Sequence, residues 1–189
     1  PKTLINAITA AEDDRFFHHY GIDITGIARA LIANIRSGDI SQGASTITMQ
    51  VARNYFLSRE KTYIRKVKEI LLAIKLEQKL SKEEILELYI NKIFLGHRAY
   101  GFAAAAAIYY DKPLEQLSLD QLAVLAGLPK APSRNNPVTN PARALKRRNY
   151  VLYRMYTLHH IDRETYQSTI RQPVNARKSL LVTEVDAPH

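Results

Sequence analysis

Cysteine is absent from the 189 residues, which excludes disulfides and thiolate metal sites. Long apolar runs are missing as well. The longest candidate, Phe102 to Tyr110, is mostly alanine and falls well short of the roughly 18 residues a membrane span needs. No signal-peptide pattern is visible, and the chain opens abruptly at Pro1-Lys2-Thr3-Leu4, as an excised domain would. The spaced glycines and Gly-Lys-Ser/Thr ending of a P-loop are lacking, which argues against phosphate-bound nucleotide hydrolysis. Histidines come as neighbours (His18-His19, His159-His160), but no His-x-x-x-His pair offers a zinc site. Acidic residues are in deficit. Asp and Glu number 18 against 27 Lys and Arg, a formal charge of +9, so an anionic partner is expected. Nucleic acid, acidic lipid headgroups and a phosphorylated substrate all fit that charge.

What is present is helical. Alternating strand patterns are nearly absent, and the length suits one domain, or a core plus a small lobe. Ile24, Ile27, Ala28, Leu31 and Ile35 form one apolar stripe that ends at Ser37-Gly38. Ile64, Val67, Leu71 and Ile74 form another, on a helix running to about Leu80. Ser81 to Glu84 and Ser118 to Gln121 read as capping boxes. Asn140-Pro141 predicts an N-cap and first-turn proline, and Asp162 starts a last helix that Pro173 closes. The glycine-, serine- and threonine-rich stretch from about 36 to 62 differs and predicts a smaller, mobile lobe. On it, Tyr55, Phe56 and Leu57 cannot all point inward from a helix, so they read either as a small local core or as residues of which some face a membrane or a lipid tail.

Three segments carry chemistry. Residues 10 to 21, Ala-Ala-Glu-Asp-Asp-Arg-Phe-Phe-His-His-Tyr-Gly, crowd acids, histidines and aromatics together. A carboxylate held there against Phe16 and Phe17 has the surroundings of a working general base. Arg65, Lys66, Lys68 and Glu69 lie on one helix, with Lys61 on the Arg65/Lys68 face and Arg53 on the preceding helix. They read either as a solvated i,i+4 surface or as a cationic cradle for a diphosphate. Gly43 to Gln50, with Ser45 and Thr46 leading into a helix, adds hydroxyls and free backbone N–H groups for an anion. Ser58-Arg59-Glu60-Lys61 and Ser133-Arg134-Asn135 match two motifs of penicillin-recognising acyl enzymes, but the Lys-Thr-Gly third motif is absent.

Taken in order, these segments resemble the peptidoglycan glycosyltransferases, the domain of bifunctional class A penicillin-binding proteins and of monofunctional enzymes. The first motif is carried by Glu12-Asp13 with Phe16, His19 and Gly21, and the second by Gly43 to Asn54 with Ser45, Thr46, Gln50, Arg53 and Asn54. Arg65, Lys66, Lys68 and Glu69 resemble the third; Glu83 to Asn91, Gly96 and Ala99-Tyr100-Gly101 resemble the fourth. Leu125 to Pro132 and Asn136-Pro137 resemble the fifth. Met49, Arg53 and Asn135 depart from the family's usual glutamine, lysine and tyrosine.

The resemblance implies a mainly α, lysozyme-like bilobal fold, with a larger helical lobe and a small mobile lobe near the membrane. It implies lipid II and the growing glycan chain as substrates, and phosphoglycolipid inhibitors such as moenomycin as ligands. Glu12 is implied as the base. Asp13, Phe16, His19, Ser45, Thr46, Gln50, Arg53, Asn54, Lys61, Arg65, Lys66 and Lys68 are implied to bind substrate. Glu69 is implied either to orient cations or to hold a divalent ion, Mg or Mn. The implied place is the periplasmic face of the bacterial inner membrane. A muramidase-like hydrolase would share fold and glutamate but has no diphosphate to hold, and a nucleic-acid-binding module would leave the acid–aromatic segment unexplained.

Overall fold

The computed structural model describes residues 1–37, 45–57 and 62–177. Helices account for nearly all of the regular structure: α1 (Lys2–Glu12), α2 (Ile24–Ser37), α3 (Ile47–Phe56), α4 (Tyr63–Lys79) and α5 (Lys82–Lys92). After them come α6 (Phe102–Tyr110), α7 (Leu119–Gly127), α8 (Pro141–Thr157) and α9 (Arg163–Ile170). Among the described residues no strand forms, and one isolated antiparallel bridge joins Phe94 to Tyr100.

The sequence signals explain three helix starts. Glu84 N donates to Ser81 Oγ at 3.2 Å while Ser81 N donates to Glu84 Oε2 at 2.7 Å, so both halves of the α5 capping box are made. Ser118 N donates to Gln121 Oε1 at 3.1 Å ahead of α7. Asp162 accepts from Thr165 N at 2.7 Å and caps α9. Asn140 does precede Pro141 at the start of α8, yet its side chain does not cap. Its amide turns instead to Ser133 O (3.4 Å) and Thr139 Oγ1 (3.3 Å), because the backbone at Asn140 has a ψ of 61°, outside the usual cap geometry.

The chain divides into two compact units, residues 1–11 with 93 onward, and residues 12–92. The smaller lobe expected at about 36 to 62 falls inside the second unit's span, and its residues 38–44 and 58–61 lie outside the described ones. In the first unit α7 packs on α8 and α8 on α9. Its core includes Leu4 and Ile8 of α1, Phe102 and Tyr109 of α6, Leu125 of α7, and Val151 and Leu152 of α8. Tyr109 donates to Leu95 O at 2.9 Å and receives Asn136 Nδ2 at 3.0 Å. Burial pushes its phenol up to about 12, which keeps the hydroxyl a donor. Gly96, with a φ of +85°, passes so close that an added Cβ would stand 2.8 Å from that hydroxyl. Gly96 of the fourth motif and Asn136 of the fifth thus meet at Tyr109.

In the second unit α3 packs on both α4 and α5 around Phe16, Ile47, Met49, Val51, Ala73, Ile85 and Tyr89. Several residues of the apolar stripes of α2 and α4 are not part of that core. Ile24 and Ile35 are 77% and 72% exposed, and Ile64, Val67 and Leu71 are between 56% and 70% exposed. The inward residues of α4 are instead Glu69 and Ala73, with Arg65, Lys66 and Glu77 on the same side. This helix turns Glu69 and its partner cations inward and leaves Ile64, Val67 and Leu71 exposed beside Lys68 and Lys75. That arrangement has a large energetic cost unless the charges have partners and the aliphatic residues are covered.

Candidate active site

Residues 13 to 21 form a tight turn after α1, and two of its polar groups, the Asp13 carboxylate and the Gly21 carbonyl, are tied to the start of α3. Asp13 is buried, and its Oδ2 accepts the first backbone N–H of α3, Ile47 N, at 3.0 Å. A carboxylate at a helix N-terminus satisfies an orphan donor and complements the macrodipole. His19, also buried, sets Nε2 between the two oxygens of Asp13 at 3.0 and 2.9 Å. Its Nδ1 has no hydrogen-bond partner. Thr46 caps α3, accepting from Met49 N at 3.1 Å, and its hydroxyl donates to Gly21 O at 2.6 Å. Phe16 is fully buried, edge-on to Phe17, which is half exposed.

Gly21 is required in this turn for two reasons. Its φ is +86°, and an added Cβ would lie 2.9 Å from the backbone carbonyl carbon and oxygen of Ala73 on α4. Gly21→Ala is therefore expected to destabilise the chain by about 2 kcal/mol or more, read as a lower denaturant midpoint at unchanged m.

Glu12, the last residue of α1, is half-buried and accepts a hydrogen bond from Gln50 Nε2 at 3.3 Å. Gln50 is itself oriented by Tyr89, whose hydroxyl donates to Gln50 Oε1 at 3.4 Å. One turn further along α3, Arg53 approaches Glu69 Oε1 at 4.0 Å. Glu69 is completely buried, and two cations of its own helix engage its oxygens: Arg65 Nη1 at 2.9 Å and Lys66 Nζ at 3.0 Å. Lys66 also donates to Ser45 Oγ at 2.8 Å. Gln50 and Arg53 are three residues apart and so share a face of α3, about 5 Å apart along its axis. The helix thereby links the carboxylate of the first motif to the cation group of the third.

The structure brings together most of the residues singled out from sequence. Asp13, His19, Thr46 and Phe16 hold the turn, Gln50 meets Glu12, and Ser45, Arg53, Arg65 and Lys66 gather at Glu69. Asn54 and Lys68 are exposed. Lys61 and Gly43 lie outside the described residues. Three participants are not among the residues singled out: Tyr89 behind Gln50, and Lys82 and Glu77, which meet at 2.7 Å beside Thr48. Lys82 gives itself away only as a cation in the first turn of a helix, where the macrodipole disfavours it.

A divalent ion needs several anionic or neutral donors. Among the described residues no group of three or more His, Cys, Asp or Glu side chains is placed to hold one. Glu69 offers a poor start for such a site, because both its oxygens already accept from cations. The described residues do not by themselves make a metal site at that position.

A carboxylate paired with an amide, and one turn away along α3 a set of cations gathered on a buried glutamate, are groups able to take a proton and to stabilise an anion. The comparisons agree with that chemistry. The family model described as Transglycosylase matches residues 1–156, and the chain belongs to this transglycosylase family. Penicillin-binding protein 1A of Pseudomonas aeruginosa is 52% identical over 189 residues, all of this chain and 23% of that protein. A putative transglycosylase of Cupriavidus necator is 56% identical over 177 residues, covering 94% of this chain and 76% of its own length. The crystal structure of penicillin-binding protein 1A from Haemophilus influenzae matches with a TM-score of 0.50 and 37% identity, over 70% of this chain and 17% of that one. The chain thus spans about a quarter of the length of its penicillin-binding protein relatives.

Proposed function

We infer that the chain is a peptidoglycan glycosyltransferase that polymerises lipid II into β-1,4-linked glycan with inversion at the donor's anomeric carbon. The observation that carries this reading is α3, which presents Gln50 to Glu12 and, one turn on, Arg53 to the Arg65–Lys66–Glu69 group. A hydrolase acting on glycan strands has no use for that second group. In this reading Glu12 takes the proton of the acceptor sugar's 4-hydroxyl as its oxygen attacks the anomeric carbon of the growing chain. The bond from that carbon to the polyprenyl diphosphate breaks, and the diphosphate leaves with the electron pair.

Lys66, Arg65, Arg53 and Lys68 are the described cations suited to hold the diphosphate. Their charge is worth most where charge grows in the transition state. Glu69 suits an orienting role: it draws Arg65 and Lys66 inward and fixes where their remaining N–H groups point. The test is direct. Labelled lipid II should yield polymer with this chain, whereas purified glycan strands should not be cut and DNA should not be bound; strand cleavage would favour the muramidase reading. Moenomycin, a phosphoglycolipid, is expected to compete with lipid II for the same cations.

The exposed aliphatic residues of α2 and α4 fit a protein that works at a membrane surface, here the periplasmic face of the bacterial inner membrane. No helix among the described residues is long and apolar enough to cross a bilayer, so contact through exposed side chains such as Ile64, Val67, Leu71 and Phe56 is the expected mode. Replacing Ile64, Val67 and Leu71 together by asparagine is expected to weaken flotation with anionic liposomes at least about tenfold, since each buried aliphatic side chain is worth about 1.5–3 kcal/mol. Their replacement leaves the inward charges of α4 in place.

A further inference from the structure

Lys82 opens α5, the least favourable helical position for a cation, yet its side chain is only 17% exposed. Its ammonium makes two hydrogen bonds and one cation–π contact. Nζ donates to Glu77 Oε1 at 2.7 Å and to the backbone carbonyl of His19 at 2.6 Å, and it stands 4.5 Å from the centre of the Phe16 ring. Glu77, 4% exposed, also accepts from Thr48 Oγ1 at 2.6 Å. One ammonium therefore grips the turn after Glu12 at two points, and Glu77 anchors that ammonium to α4 and, through Thr48, to α3.

We propose that Lys82 is a positioning residue for the catalytic base. It holds Phe16 and the His19 carbonyl so that the His19 imidazole stays on Asp13 and the Glu12 carboxylate stays in reach of Gln50. The proposal rests on the reading of Glu12 as the base. The competing view is that Lys82 and Glu77 form an ion pair whose only effect is on stability. The two differ in what happens when both charges are removed. Breaking a buried pair from one side leaves an uncompensated charge and destabilises the fold, whereas neutralising both partners relieves that penalty. Neutralising both does not restore the grip on the turn.

The experiment compares Lys82→Met with the double variant Lys82→Met, Glu77→Gln in the same chain, with Tm, kcat and KM on lipid II, and the ring nitrogen resonances of His19. Lys82→Met is expected to lower both Tm and kcat. The double variant is expected to regain most of the Tm, while its kcat stays down by about tenfold to a hundredfold with KM within about threefold, as a misplaced catalytic group produces. The His19 ring resonances should move in both variants, reporting a changed Asp13–His19 contact. Recovery of kcat along with Tm in the double variant would overturn the proposal, as would His19 resonances that do not move. A parallel Glu12→Gln variant separates the failures. Full activity there removes the base assignment, while the His19 resonances still decide whether Lys82 holds the turn.

Discussion

Glu12→Gln is expected to cut lipid II polymerisation by about a thousandfold, the middle of the range for loss of a general base, while leaving fold and substrate binding nearly intact. A sugar hydroxyl is a weak nucleophile at neutral pH, and its oxygen becomes reactive enough only as the proton is taken. Glutamine is close in shape to glutamate and keeps a side-chain oxygen to accept from Gln50 Nε2, the contact that glutamate makes at 3.3 Å. The packing around α1 and α3 therefore changes little. What disappears is the capacity to accept a proton. The measurement is single-turnover polymerisation beside lipid II binding and Tm; a variant polymerising within about threefold of the parent would move the base elsewhere. A variant that binds weakly but turns over normally would make Glu12 a substrate contact.

Much of this site is legible in the sequence because its motifs are local. Asp13, His19 and Gly21 lie within nine residues, and the geometry of one tight turn ties them together. The Arg65–Glu69 pair is an i,i+4 relation that any helix enforces, and it forms at 2.9 Å. Capping boxes at Ser81 and Ser118 are equally local. The unread parts depend on tertiary contact. Whether Arg65 and Glu69 form a solvated pair or a buried cradle is decided by α3 covering α4, which no spacing rule contains. The same covering turns the expected meaning of α4 around. Its aliphatic residues read as a core stripe by periodicity, yet Ile64, Val67 and Leu71 face out because the charged side is the one that α3 needs.

Lys82 shows the limit most clearly. Beside Ser81 and Glu84 it reads as one more polar residue in a capping box, and its local electrostatics are wrong for its place. Only the fold brings His19 O, 63 residues away in sequence, to within 2.6 Å of it. Tyr89 is similar: on α5 it is a buried aromatic like any core residue, until its hydroxyl is found on Gln50. Residues that act by holding other residues carry little signature of their own.

Glu69→Gln is expected to be the second severe loss, with a cause of a different kind. Both oxygens of Glu69 are engaged by cations and none of its surface reaches solvent. The amide that replaces them carries no charge, and its NH2 would face Arg65 or Lys66, donor against donor. Removing one partner of a buried pair costs roughly 3–5 kcal/mol, and the lower end applies because Lys66 and Arg53 retain access to water. Both can swing outward, and that movement is what should harm catalysis. A cation that has relaxed into solvent no longer sits where the diphosphate charge develops, so a rate loss of about a hundredfold or more is expected, the scale for removing a preorganised electrostatic donor. Titration with Mg salts then separates the two readings of Glu69. If it orients cations, parent and variant respond to added Mg with the same midpoint, and the variant is simply slower throughout. If it holds the ion, the variant loses its divalent dependence altogether. The chemistry of the site favours the first outcome: an ion of charge +2 would have to displace Arg65 and Lys66 from the very carboxylate that keeps them in place.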